Sequence, residues 1–460
     1  MPRWVPLALI LFAFAACASW YGTVTPYRSG GILLNQRGAD GQPARIPDVG
    51  APDERQHANY VHHLLTTRSF PVLKPGSPDL GETYQSHQPP LYYLLAAGLG
   101  DPASPDGRAT RYLNVLVGVL TLVGLFRLGK LLSRREEVGL ACASFGLIPG
   151  FVMLHGAITN DPLLMCLCTW SLVFALTGLL SGWSVRLFAL VGVLAGLALL
   201  TKSSAMALIP TLGVVWLLSV RQKAEPRVNS VQLGLGLIGL PLLIAAPWFA
   251  RNASLYGDPL GLTVFKQAFT GSAQARMFID SIGPIAYWSD WVLWWTTRSF
   301  VGVFGYMDIF LEGSLYLVMI GLGLLTLAGN LLKSPSQTEP PRANPNPVLW
   351  TFFVVVLVLF FQFNMTYFQG QARYLYPAIG VIAYWFGRGS FGWFSKWPSF
   401  AWVVPLVVLF GLNLYVLSVL PGEFEKRKGW VIGSALSLSN PFRVGSVGIR
   451  TPGQPPATLR

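Results

Sequence analysis

Charge is scarce along this chain. Only 12% of its 460 residues are Asp, Glu, Lys or Arg, against about a quarter in soluble domains. That deficit excludes an ordinary soluble fold. Cysteine is scarce too: Cys17, Cys142, Cys166 and Cys168 all lie inside apolar runs. They form neither a disulfide framework nor a zinc spacing, and read as small core residues. Short segments of alternating polarity are missing, which excludes a membrane β-barrel. A basic soluble domain is missing as well, which excludes a nucleic-acid binder; the net charge of +13 reflects loop topology instead. What is abundant is apolar sequence, 52% of the chain, in recurring runs of about twenty residues, each long enough to cross a bilayer as a helix. With backbone polar groups satisfied internally, the fold class expected is all-α, a polytopic transmembrane helical bundle.

The apolar runs fall at about 4–22, 109–127, 137–157, 161–181, 184–200, 204–220, 231–250, 312–332, 347–366, 373–388 and 399–420, which makes about 11 spans. The first has two readings. Arg3 and the A-C-A-S string fit a cleaved signal peptide, whereas a retained helix fits the charge pattern of the rest, and retention is preferred. With the N-terminus inside, Lys130, Arg134, Arg135, Arg186, Arg221, Lys223, Arg227, Lys333, Arg342, Arg388 and Lys396 fall in inner loops, and only Lys202 and Arg373 in short outer ones. This is the positive-inside bias. Lys426, Arg427 and Lys428 offend it by following the last span on the outer side.

Two elaborated extracytoplasmic loops remain within a membrane domain of residues 1–420: residues 23–108 and 251–311, with a tail at 421–460. Both are expected to carry juxtamembrane helices. In the second, Trp288, Trp291 and Trp295 fall on one helical face and suit a helix lying at headgroup depth. In the first, residues 89–100 ("PPLYYLLAAGLG") read the same way, because a span there would invert every later loop.

The residues with chemical potential gather at the outer face. "PDERQH" (52–57) puts His57 four residues after Asp53 and three after Glu54, following a proline, so all three can meet on one side of a helix. That is either a capped helix start or a general base with a second acid and a positioning His. "TYQSHQPPLYY" (83–93) offers His87, Gln88 and Tyr92, as a loop-to-helix junction or as the rim of a lipid-facing cavity. "ITNDPL" (158–163) is an outer turn with Asn160 and Asp161, whose structural alternative is ordinary turn and capping chemistry. Lys202 stands between two tight spans against the charge bias, and an ionisable group there is either a snorkelling lysine or a cation for an anionic headgroup. Arg251 and Asn252 leave one span, and Arg373 and Tyr374 enter another; arginine is the better fork for phosphate oxygens. No complete metal-ligand set is present, so a divalent cation at Asp53 and Glu54 is the only cofactor left open. Asn252-Ala253-Ser254 and Asn364-Met365-Thr366 match the N-glycosylation pattern.

In order, "DE", "PPLYY", "NDPL", "LLTK", "RN…YGDP", "FGYMD" and "RYLYP" resemble bacterial polytopic glycosyltransferases of the GT-C superfamily, broadly similar to mannosyl- and aminoarabinose-transferases, over about residues 1–420. The resemblance implies a polyprenyl-phosphate sugar donor, a lipid, glycan or protein acceptor, and catalysis at the periplasmic or extracellular face of the bacterial inner membrane. It further implies that Asp53 is the base, with Glu54 beside it, and that Lys202, Arg251 and Arg373 hold the donor phosphate. Several relatives carry a lysine before the Pro-Pro pair, where this chain has Gln88; His87 replaces that cation only if protonated. The rival class is a lipid or solute transporter. Transporters place ionisable groups near mid-membrane, whereas here the spans are nearly free of acids.

Overall fold

A computed structural model describes residues 4–104, 107–222, 229–332 and 343–428. Helices dominate, and the only sheet among the described residues is two short antiparallel pairs, β1–β2 (Gly31–Arg37 with Pro43–Ile46) and β3–β4 (Val303–Phe304 with Ile309–Phe310). Among the described residues, eight helices are long and apolar enough to cross a membrane: Val5–Val24, Gly107–Ser133, Asp161–Ser181, Ser203–Arg221, Ser230–Tyr256, Gly313–Leu331, Asn346–Asn364 and Phe400–Arg427. The other apolar runs fold into shorter helices, Val185–Leu199, Ile379–Trp393, and Glu136–Phe145 followed by Pro149–Leu154. That last pair is separated by the residues Gly146 to Ile148, and Pro149 opens the second helix.

The path of the chain gives the arrangement its two ends. Val5–Val24 finishes where Arg111 of the next long helix donates to the carbonyls of Gly22 and Thr25. The last helix finishes where Arg427 meets Asp308 of the second loop. Both elaborated loops therefore lie at one end of the bundle. The chain enters that end first by an upward helix and last by another, so the number of passes between the ends is odd.

Packing follows the small-residue rule for helices that lack a hydrophobic drive against lipid. Gly389 faces the Thr326 carbonyl and Gly392 faces Gly329, so a side chain at either would strike the neighbouring backbone. Outward-facing Leu243, Leu317, Val318, Val354 and Val358 are exposed, as a lipid-facing surface requires.

The offending cations after the last span have a local explanation. Arg427 is buried and pairs with Asp308 Oδ2 at 2.7 Å and with Glu423 at 2.9 Å. Lys426 pairs with Glu423 and Lys428 with Glu425. Three acids thus neutralise three bases, and the helix end carries little charge for topology to sort. Asp308 also accepts from the Leu34 and Asn35 amides, which ties the two loops to the last helix. Asp308→Asn is expected to cost about 2 kcal/mol, the size of a charged hydrogen bond, seen as earlier thermal unfolding in detergent. Of the expected inner-loop cations, Lys223, Arg227, Lys333 and Arg342 lie outside the described residues, as does the tail beyond Lys428.

Trp288, Trp291 and Trp295 are half-buried; they pack on Phe278 and Phe310 of the same loop, on Phe361 of the helix Asn346–Asn364 and on Phe368 just beyond it. Both glycosylation patterns are closed, since Asn252 and Asn364 are buried and their amides donate to the Pro259 and Phe360 carbonyls.

Candidate active site at the loop-bearing end

Asp53 is the residue before helix Glu54–Thr67, and its backbone is left-handed at φ 61°. Aspartate tolerates that region better than most residues. The turn keeps the carboxylate from capping its own helix and aims it elsewhere. One oxygen accepts from Tyr84 Oη at 2.6 Å, and the other meets Arg373 Nη2 at 2.7 Å. Burial would push this carboxyl up, but the Arg373 guanidinium and the Tyr84 hydrogen bond override it and hold the pKa down at about 2.

Asp161 opens the helix Asp161–Ser181, with Pro162 in its first turn. Its Oδ1 meets Lys202 Nζ at 2.5 Å, and its Oδ2 lies 3.3 Å from Thr159 Oγ1. Lys202 sits in the break between Val185–Leu199 and the helix beginning at Ser203, with Nζ 5.8 Å from the Tyr374 ring centre. Arg373 lies over the same ring at 5.3 Å. The two ion pairs thus share Tyr374. Arg373 Nε is buried and has no acceptor, so the guanidinium holds a donor in reserve. Around the pairs, Asn160 donates to the Thr201 carbonyl and to Gln88 Oε1, while its own Oδ1 is buried without a donor. Gln88 Nε2 lies 3.1 Å from His87 Nε2.

Asp53, Glu54 and His57 do not form the single cluster that their helix spacing suggests, because each side chain takes different partners. Glu54 is buried and held in two contacts by Arg111, with Nε at 2.7 Å and Nη2 at 2.5 Å. Its Oε1 also accepts from the Ile158 amide at 2.8 Å. The Arg111 donors go to Glu54 and to the Gly22, Thr25 and Pro26 carbonyls, which places all five. Glu54 is a staple between four chain segments, with no oxygen free for a substrate. The same contacts remove the Asp53–Glu54 pair as a joint cation site, and among the described residues no three metal-type ligands gather.

His57 is buried, with Nδ1 2.8 Å from Tyr93 Oη and Nε2 3.4 Å from Thr159 Oγ1. Burial pushes its pKa down to about 3, despite the nearby Asp53 carboxylate. Burial pushes His87 down to about 4, against the effect of its hydrogen bond to the Tyr84 carbonyl. Both are neutral near pH 7, so His87 does not supply the missing cation before the Pro-Pro pair. Tyr92 belongs to the core, its hydroxyl accepting from Asn114. Arg251 grips the first loop through the Phe70 and Pro71 carbonyls and packs on Trp248. It stands apart from the two ion pairs, and Asn252 fastens the following turn.

The folded pKa values of these two histidines lie below the unfolded value near 6.5. They contribute stability that is present above about pH 6.5 and is lost as pH falls toward the folded values of about 3 and 4. Asp48, pushed up to about 7 by burial and by Glu54, has the opposite sign. A His57→Gln variant is therefore expected to lose less thermal stability than wild type between pH 7 and pH 4.5; an unchanged difference would contradict the neutral, buried assignment.

Tyr84 and Thr159 complete the site but carried no sequence signal of their own. Tyr84 lies 31 residues from Asp53, and nothing in its neighbours' pattern points back.

Residues 87–250 match the family model described as dolichyl-phosphate-mannose-protein mannosyltransferase. No curated protein matches. Among solved structures, ArnT from Cupriavidus metallidurans in the apo state aligns at a TM-score of 0.51 and 15% identity, over 83% of this chain and 59% of that one. ArnT bound to undecaprenyl phosphate aligns at 0.51 and 14%, over 91% and 76%. The apo oligosaccharyltransferase of Archaeoglobus fulgidus aligns at 0.47 and 13%, over 93% and 57%. The chain thus spans about three fifths of the apo ArnT chain. Matched by that family model over residues 87–250 and sharing the fold of ArnT, the chain is a multi-pass helical membrane protein.

Proposed function

We propose that this protein is an inverting glycosyltransferase. It moves a hexosyl or pentosyl group from a polyprenyl-phosphate donor to a hydroxyl of a lipid, glycan or protein acceptor, at the extracytoplasmic face of the bacterial inner membrane. The observation that carries the reading is the pair of ion pairs, Asp53–Arg373 and Asp161–Lys202, gathered around Tyr374 at the loop-bearing end of an apolar bundle. Two cations at the edge of a bilayer suit a lipid phosphate. A carboxylate beside them suits a base.

The donor's prenyl chain lies along apolar helix surface and its phosphate takes Arg373 and Lys202. Asp53 accepts the proton of the acceptor hydroxyl as that oxygen bonds to the anomeric carbon from the side opposite the phosphate. The carbon–oxygen bond to phosphate breaks, the electron pair stays on the phosphate, and the cations stabilise the charge as it develops. Asp161 holds Lys202 in place. Glu54 and Arg251 have structural roles in this scheme, and Glu54 is no longer counted as a catalytic residue.

The test is to incubate the purified protein with a panel of prenyl-phosphate sugars and candidate acceptors and to follow release of prenyl phosphate. Sugar-dependent release supports transfer. Flux of a prenyl-phosphate sugar across vesicles with no release would support the transporter reading instead.

A further inference from the structure

The base in this scheme is not free. Both Asp53 oxygens are engaged, one by Tyr84 and one by Arg373. The side chains are only 19% and 11% exposed, so the pair is shielded from the screening that weakens surface ion pairs. Asp161 occupies Lys202 in the same way. Each cation that a phosphate would need is therefore held by a carboxylate, and the two pairs together are neutral. Arg373 is nevertheless equipped for a second anion. It spends Nη2 on Asp53 and keeps a buried, unpartnered Nε, and a planar guanidinium has edges to offer a phosphate.

We infer that the resting site is self-closed, and that a prenyl phosphate arriving at Arg373 displaces Asp53 from it, so that donor binding arms the base. This rests on the reading of Asp53 and Arg373 given above and adds an order to it: donor first, acceptor chemistry second. The physical cause is competition. Asp53 and the phosphate seek the same guanidinium, and whichever state holds Asp53 on Arg373 lowers the apparent affinity for phosphate by the fraction of time it is occupied. Once displaced, Asp53 keeps Tyr84 but loses its counter-cation and becomes a stronger base. A closed resting site also keeps a reactive carboxylate from acting on water or on an acceptor before the donor is in place.

The test measures binding alone, so that its failure and the failure of the glycosyl-transfer reading are separate events. Undecaprenyl phosphate is titrated into the full chain in detergent, with tryptophan fluorescence as the readout, for wild type, Asp53→Asn, Arg373→Gln and the double variant. Asp53→Asn is expected to tighten binding by about tenfold, because the competing anion is gone. In the Arg373→Gln background the same substitution is expected to change affinity by no more than about twofold. Equal tightening in both backgrounds would show only the loss of a nearby negative charge and would overturn the inference, as would no tightening in either. Should Asp53→Asn not fold, Asp53→Ser carries the same comparison. Tightening with no sugar transfer from any donor would leave the displacement standing and remove the chemistry assigned to it.

Discussion

Asp53→Asn is expected to lower sugar transfer by about a hundred- to ten-thousand-fold, the range a positioned general base contributes, while the protein stays folded and embedded. Asparagine keeps the shape of the side chain and can still accept from Tyr84. It cannot take a proton from a hydroxyl. The loss should fall on turnover, because the phosphate-holding cations Arg373 and Lys202 are untouched. Measured as initial rates of prenyl-phosphate release with saturating donor, a fall of less than about tenfold would mean that another group carries the proton, and Asp161, paired with Lys202, would be the next carboxylate to examine.

The second large effect concerns folding. Removing one partner of a buried, multiply bonded ion pair leaves the other charge uncompensated, at a cost of about 3–5 kcal/mol. Glu54–Arg111 fits that case: both side chains are essentially inaccessible, and Arg111 also satisfies the carbonyls at the end of the first helix. Glu54→Leu and Arg111→Leu should each lower the unfolding midpoint in detergent strongly. Their double variant should cost less than the sum, since the two losses are one interaction. It should not recover fully, because three carbonyls lose their donor. Glu54→Gln separates the staple from a chemical role. If it were as stable as wild type yet inactive, Glu54 would have to be returned to the catalytic group.

The sequence made the membrane architecture legible, because bilayer thickness converts directly into run length. Apolar runs and the distribution of Lys and Arg placed both loops at one end, where the structure has them. It also made Asp53, Asp161, Lys202, Arg373 and Tyr374 visible, since ionisable and aromatic groups stand out beside apolar spans. What it concealed were the pairings. Spacing on one helix put Asp53, Glu54 and His57 together, yet the left-handed turn at Asp53 and the pull of Arg111 send them apart. Local periodicity carries no information about a partner 57 residues away, which is the separation of Glu54 from Arg111. The three C-terminal cations misled for a related reason: counting charge by sequence misses Asp308, 119 residues from Arg427. Gln88 illustrates the opposite case. It lacks the charge of a lysine, and the structure gives it a hydrogen-bonding place beside His87 and Asn160 instead.

Whether a prenyl phosphate binds on Arg373 and Lys202 next to Asp53 can be seen in a structure of the full chain in a lipid nanodisc with undecaprenyl phosphate. Phosphate density is expected within hydrogen-bond distance of Arg373 and Lys202, with the Asp53 carboxylate moved off Arg373 and still beside Tyr84. Phosphate density elsewhere, with Asp53–Arg373 intact, would rule this binding mode out.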